Sequence, residues 1–195
     1  MSTVYLMLSF FFVQNLLLVF GLGMTPAFRE GMAFRWRTGS FLATALLMLV
    51  SAMAAWGLHA LIVGYLGLQY LRTLVFVLVL VCLIYGTRGI AWRFSQTGTG
   101  NVDSIIMPVN TSSATLGLMI LVSGQGLGAV EALAAACGGI LGYGVALFLY
   151  SEVLRRMDLE WVPKPFRGLP LALISLGLIA LIFMSVSALL LPGLR

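Results

Sequence analysis

The groups in this chain that could hold a cation are mostly neutral oxygens, and they fall in two short tracts. The first is Gly21-Leu22-Gly23-Met24-Thr25-Pro26 at the end of the first apolar stretch, with Asn15 upstream of it. The second is Met107-Pro108-Val109-Asn110-Thr111-Ser112-Ser113-Ala114-Thr115. Amide and hydroxyl oxygens at Asn15, Thr25, Asn110, Thr111, Ser112 and Ser113 can replace the hydration shell of a small cation. They suit Na⁺ better than H⁺, because a proton relay needs titratable groups in series along its path. A purely structural use competes with this one, since Ser and Thr also bond back to carbonyls of their own helix.

Other chemistry has little to work with. Cys82 and Cys137 are not spaced as a chelating pair and read as small apolar packing groups. A single histidine, His59, cannot make a bis-histidine heme site. Glu131 and Glu152 fall near the ends of an apolar stretch and read as solvated interface residues rather than ion ligands. No Gly-rich phosphate loop follows a strand, and no Ser/His/Asp set stands out. The expectation is a chain with no catalytic residues and no metal site of its own, unable to turn over a substrate alone.

The elements that must position the oxygens are membrane helices. With 61% apolar residues among 195 and a mean hydropathy of +1.09, the chain is too apolar for one soluble core. A span needs roughly 20 apolar residues. Six stretches qualify: Thr3 to Gly23, Gly39 to Val63, Tyr70 to Ala91, Ser104 to Val122, Gly126 to Ser151 and Gly168 to Leu191. The first lacks the basic lead of a signal peptide and has Gln14 and Asn15 where such a peptide needs an uninterrupted apolar core, so it reads as a mature helix. The fold class is therefore an all-α integral membrane protein, one six-span domain over residues 1–195.

Charge orients it. Arg29, Arg35, Arg37, Arg88, Arg93, Arg155, Arg156, Lys164 and Arg167 lie on one side, and only Arg72 and Arg195 on the other. The basic side is cytoplasmic by the positive-inside rule, which leaves both termini outside. The net charge of +5 reports this topology and attraction to anionic lipid; nucleic acid is not a partner.

Six spans divide into three plus three, over about 1–95 and 100–195, and an odd number per half makes the repeats inverted. Leu71-Arg72-Thr73-Leu74 and Phe166-Arg167-Gly168-Leu169 echo one another at the starts of spans three and six. The first helix of each half, span one and span four, holds a polar tract, so both read as interrupted helices lining a central site. In span five, Cys137-Gly138-Gly139-Ile140-Leu141-Gly142-Tyr143-Gly144 lets another backbone approach closely. Gly138, Gly139, Gly142 and Gly144 are read as packing positions, including packing between subunits, which makes span five central.

At these tracts, and more strongly towards the C-terminus, the chain resembles the six-span membrane subunits of the Rnf and Na⁺-translocating NADH:quinone oxidoreductase (Nqr) complexes, of the RnfA/NqrE type. Tyr70-Leu71-Arg72-Thr73-Leu74, Val162-Pro163-Lys164-Pro165-Phe166-Arg167-Gly168, Gly177-Leu178 and Phe183-Met184-Ser185 carry the likeness, which runs nearly end to end. The resemblance implies a bacterial inner-membrane subunit of an ion-translocating electron-transport complex. Its partners would be an inverted homologous six-span subunit and further subunits that hold flavins and iron-sulfur clusters.

In that family each of two such subunits supplies a Cys from both interrupted helices to a shared iron-sulfur cluster. Here the Leu-Gly-x-Cys-Pro pattern reads Leu22-Gly23-Met24-Thr25-Pro26, and Asn-Cys-x-x-Leu-Gly reads Ser112-Ser113-Ala114-Thr115-Leu116-Gly117. Thr25 and Ser113 occupy the cysteine positions. A neutral hydroxyl is a poor replacement for thiolate on iron, so no cofactor is expected on this chain alone. Acidic residues the family tends to place near the ends of spans three and five are replaced by Arg88 and Arg155. The expected role is scaffold and ion path, with Na⁺ or H⁺ as the coupling ion. Two alternatives stay open: a stand-alone small-solute transporter or assembly factor on the same fold, and a different redox centre at the waist.

Overall fold

In a computed structural model, which describes residues 3–23, 38–66, 71–95, 112–156 and 169–190, the chain is helical and contains no strand among those residues. Among the described residues six helices follow in order: α1 Thr3–Phe12, α2 Thr38–Leu66, α3 Arg72–Ser95, α4 Ser112–Gly124, α5 Ala129–Arg156 and α6 Leu169–Leu190. At about 1.5 Å per residue, α2, α3, α5 and α6 each exceed roughly 30 Å of hydrocarbon, whereas α1 and α4 do not. Two of them, α5 over Ala129–Val153 and α6 over Pro170–Leu189, are both long and apolar enough to cross a membrane. The two short helices lie in the two stretches that carry the polar tracts.

The helix ends follow local chemistry. Gly128 precedes α5, and Glu131 reaches back so that its Oε2 accepts the Gly128 N–H at 3.1 Å. That is the N-terminal cap a Glu supplies three residues into a helix, and it gives Glu131 a structural role at an exposed end. At the C-terminus of α4, Arg72 donates from its guanidinium to the Ile120 carbonyl at 3.3 Å and lies 5.7 Å from the Phe76 ring centre. A cation is favoured there because the last carbonyls carry the negative end of the helix dipole. Arg72→Met keeps an apolar stem over Phe76 and removes charge and donor; thermal unfolding in detergent should fall by the equivalent of about 1 kcal/mol.

The core sits around α5, which touches α1, α2, α4 and α6. The span-five glycines make that possible. A Cβ on Gly138 would meet the carbonyl of Met7, and one on Gly142 would stand 2.6 Å from that of Phe11, so α1 lies directly on α5 backbone. Gly139 is filled by Leu118 of α4, and Gly144 is buried as well. Close approach at these glycines is therefore made inside the subunit. Where the sequence suggests packing between subunits, the chain's own α1 and α4 already cover Gly138, Gly139 and Gly142.

Phe10, Leu118, Val122, Ala135, Ala136, Tyr143 and Tyr150 fill the main core, and a smaller group of Ala55, Phe76, Leu80 and Met119 joins α2, α3 and α4. Trp56 of α2 ties to the α4–α5 turn through its indole N–H, which donates to the Leu127 carbonyl at 2.8 Å. The packed pairs are α1 with α5, α2 with α4, α2 with α5, α2 with α3, α5 with α6, α3 with α4, α1 with α6, and α4 with α5 across their short turn.

Candidate functional site

The end of the first apolar stretch meets the start of α4, and the site is built from Asn15 upward. Asn15 is fully buried where α1 stops. Its Oδ1 accepts the N–H groups of Leu17 and Leu18 at 3.1 and 3.2 Å, the bonding of a helix N-cap. Its Nδ2 donates to the carbonyl of Phe11 at 3.2 Å and to that of Gly142 in α5 at 2.8 Å. One amide thus closes the C-terminus of α1, opens the turn that follows and fastens both to α5. The side chain's two acceptor sites and two donor hydrogens are all used. Asn15 accordingly holds the break and has no oxygen lone pair left for an ion.

The turn it caps is short. Val19 N–H bonds to the Asn15 carbonyl, and Gly21 in the left-handed region (φ 64°) closes the turn with bonds from Gly21 and Leu22 N–H to the Leu17 and Leu16 carbonyls. This is the manner in which helices stop at a glycine. The interruption therefore begins directly after Phe12, earlier than the Gly21–Pro26 stretch that the sequence suggests, because Asn15 offers the backbone an alternative set of bonds.

Gly23 then crosses α4. Its φ of 80° is unfavourable for other L-residues, and a Cβ there would stand 2.7 Å from the Tyr143 hydroxyl and 2.8 Å from the Ala114 Cβ. Its N–H donates to Ser113 Oγ at 3.1 Å, and its carbonyl accepts from the Tyr143 hydroxyl at 3.0 Å. On the other side of the crossing a Cβ on Gly117 would meet the Leu22 side chain. The Leu-Gly pairs of the two motifs, Leu22-Gly23 and Leu116-Gly117, are thus packed on one another's segment, each glycine providing the space.

Of the residues singled out by sequence, Ser113 belongs to this crossing and Asn15 holds the break upstream of it. Ser112 begins α4, while Thr25, Asn110 and Thr111 lie outside the described residues, as do the loop charges Arg29, Arg35, Arg37, Lys164 and Arg167. His59 is half-buried on α2. Cys82 is exposed on α3, and Cys137 lies six residues, about 9 Å along α5, from Tyr143. Tyr143 is not among the residues that the sequence marks out. Its signal is present nonetheless: a tyrosine between two glycines deep in an apolar stretch needs a partner for its hydroxyl.

The residues at the crossing do not fit an iron-sulfur cluster. Ser113 presents a neutral hydroxyl oxygen, which already accepts a backbone N–H, where thiolate would be required. Among the described residues no three His, Cys, Asp or Glu side chains come together.

A family model described as the Rnf-Nqr subunit, a membrane protein, matches residues 3–190. The chain belongs to the Rnf-Nqr family. It is 33% identical over 181 residues to the A-type subunit of the ion-translocating oxidoreductase complex of Syntrophotalea carbinolica, covering 93% of each chain. It is 31% identical over 180 residues to the protein of the same name from Thioalkalivibrio sulfidiphilus, and 32% identical over 178 residues to that of Edwardsiella ictaluri; each match covers more than nine-tenths of both chains. An Rnf-Nqr subunit is a membrane protein, which accounts for the rows of exposed Leu, Ile, Val and Met on α6, from Leu173 and Ile174 through Leu178, Leu181 and Ile182 to Met184 and Leu189. In water those would be an aggregation surface; in a bilayer they are the ordinary lipid-compatible face.

Proposed function

We propose that this Rnf-Nqr subunit serves an ion-translocating electron-transfer complex as scaffold and ion path, holding no redox group itself. The observation that carries the reading is the crossing of the interrupted first apolar segment with the start of α4 at Gly23 and Ser113, in a chain whose relatives are named as subunits of an ion-translocating oxidoreductase complex. Flavins and iron-sulfur clusters belong to its partner subunits, among them an inverted six-span homologue. The chain sits in a bacterial inner membrane with its arginine-rich loops inside and both termini outside.

The proposed architecture is two inverted three-helix repeats. Exchanging the helices of one half for those of the other turns the α1–α5 pair into α4–α2, α2–α3 into α5–α6 and α3–α4 into α6–α1, and leaves α2–α5 unchanged; the helix packing supports the symmetry in this respect. Such a symmetry offers a midplane site two alternative accesses. The oxygens we assign to the ion are Thr25, Asn110, Thr111, Ser112 and Ser113, with Asn15 fixing the break beside them.

The test is purification of the tagged chain from native membranes and reconstitution in liposomes. Flavin- and iron-bearing subunits should co-purify, and electron transfer should drive Na⁺ uptake. A chain that purifies alone overturns the reading, and a complex that builds a proton gradient and is indifferent to Na⁺ overturns the assignment of Na⁺ to these neutral oxygens.

A further inference from the structure

We propose that Ser113 and Tyr143 are the positioning residues of the crossing, a two-point hydrogen-bond latch on Gly23 that joins the end of the first apolar stretch to α4 and α5 with protein atoms alone. The latch rests on the reading of this crossing as the centre of the protein and is what holds that centre together. Gly23 has only two polar groups, and both are taken: the N–H by Ser113 of α4, the carbonyl by Tyr143 of α5. The partners lie 90 and 120 residues away in the chain, so the bonds fasten three separate elements at one residue. Packing guides the same contact, because Gly23 has no space for a side chain on the Ala114 and Tyr143 side and Gly117 accommodates Leu22.

The geometry supplies a reason for each side chain. A buried N–H and a buried carbonyl in a membrane must each find a partner, and the left-handed Gly23 turns both away from the bonding a helix would provide. Ser113 can only accept from that N–H through its oxygen, and Tyr143 can only donate to that carbonyl through its hydroxyl hydrogen. The segment that continues into Thr25 is thereby anchored at its start. A shared metal ligand set is unnecessary for the joining, and assembly of this chain should not depend on iron.

The experiment is disulfide trapping in the full chain in native membranes. Leu22→Cys with Gly117→Cys, in a background of Cys82→Ala and Cys137→Ala, puts two thiols at the crossing. The Gly117 Cβ would stand 3.8 Å from Leu22 Cγ, where a sulfur would lie; loss of the Leu22 methyls removes the nearest contact, and the flexible end of Leu16, at 3.3 Å, gives by a few tenths of an ångström. Copper-phenanthroline oxidation is followed by counting remaining thiols with a maleimide of high mass.

The parent pair should close rapidly and nearly completely. Ser113→Ala or Tyr143→Phe should slow closure about fivefold each, the factor that one hydrogen bond of about 1 kcal/mol represents, and the double variant should be slower again. Ser113→Thr, which keeps the hydroxyl, should restore the parent rate, and growth under iron chelation should leave it unchanged. A double variant that closes as fast as the parent, a parent that does not close, a Ser113→Thr that behaves as Ser113→Ala, or closure that requires iron each overturns the latch. None of these readouts depends on ion transport, so the latch and the transport reading can fail separately.

Discussion

Gly138→Ala should unfold at a markedly lower temperature in detergent than the parent, and Gly142→Ala should behave alike. At both positions the new methyl would point at a main-chain carbonyl of α1, that of Met7 or of Phe11, rather than at the end of a flexible side chain. A backbone cannot swing away as a rotamer can, so α1 must lift off α5 along its whole length. Overpacking of this kind costs about 3 kcal/mol, the upper end of the usual range, and Gly138→Leu should leave no assembled protein. At Gly142 the loss is compounded, because the added methyl would also lie 3.1 Å from Asn15 Nδ2 and push it off its carbonyls. Gly177→Ala on α6 is the control: nothing lies within 4 Å of that position, and the helix should gain about 0.5 kcal/mol or stay level. If Gly138→Ala proved as mild as Gly177→Ala, the direct contact between α1 and α5 would be wrong.

The second large effect is at Asn15. Asn15→Leu keeps the volume and removes every polar atom, leaving the N–H groups of Leu17 and Leu18 and the carbonyls of Phe11 and Gly142 without the bonds they have now. Bonds between membrane helices are individually modest, but four groups at a fully buried residue lose theirs together. A destabilisation on the order of 3 kcal/mol is expected in equilibrium unfolding. Asn15→Asp separates the two halves of the role. It retains the oxygen that caps Leu17 and Leu18, loses both donors, and turns a carboxyl group towards two carbonyls, so it should be at least as damaging. Were Asn15 free to bind an ion, Asn15→Leu would reduce ion dependence while sparing stability; the structure calls for the opposite order of effects.

Much of this arrangement is legible in the order of residues. Hydropathy is local, and a break in it is local too, which is why the helices, the polar tracts in the first and fourth apolar stretches and the Leu-Gly pairs can be read directly. Glycine carries information of the same kind: a cluster such as Gly138, Gly139 and Gly142 announces that some backbone comes close. The family likeness is likewise visible one residue at a time.

Which backbone comes close is a different matter. Asn15 looks in sequence like one more oxygen for a cation, and only its neighbours show that both lone pairs go to Leu17 and Leu18 while its amide reaches Gly142, 127 residues on. Gly138 and Gly142 suit an interface between subunits equally well until α1 is seen lying across them. Tyr143 has no local partner at all, since its hydroxyl ends on a carbonyl brought there by a left-handed Gly23. The physical reason is common to all three. Burial preference and chain stiffness are properties of a residue and its near neighbours and so can be read along the chain, whereas a buried hydrogen bond belongs to a pair, and the pair forms only when α1, α4 and α5 have packed.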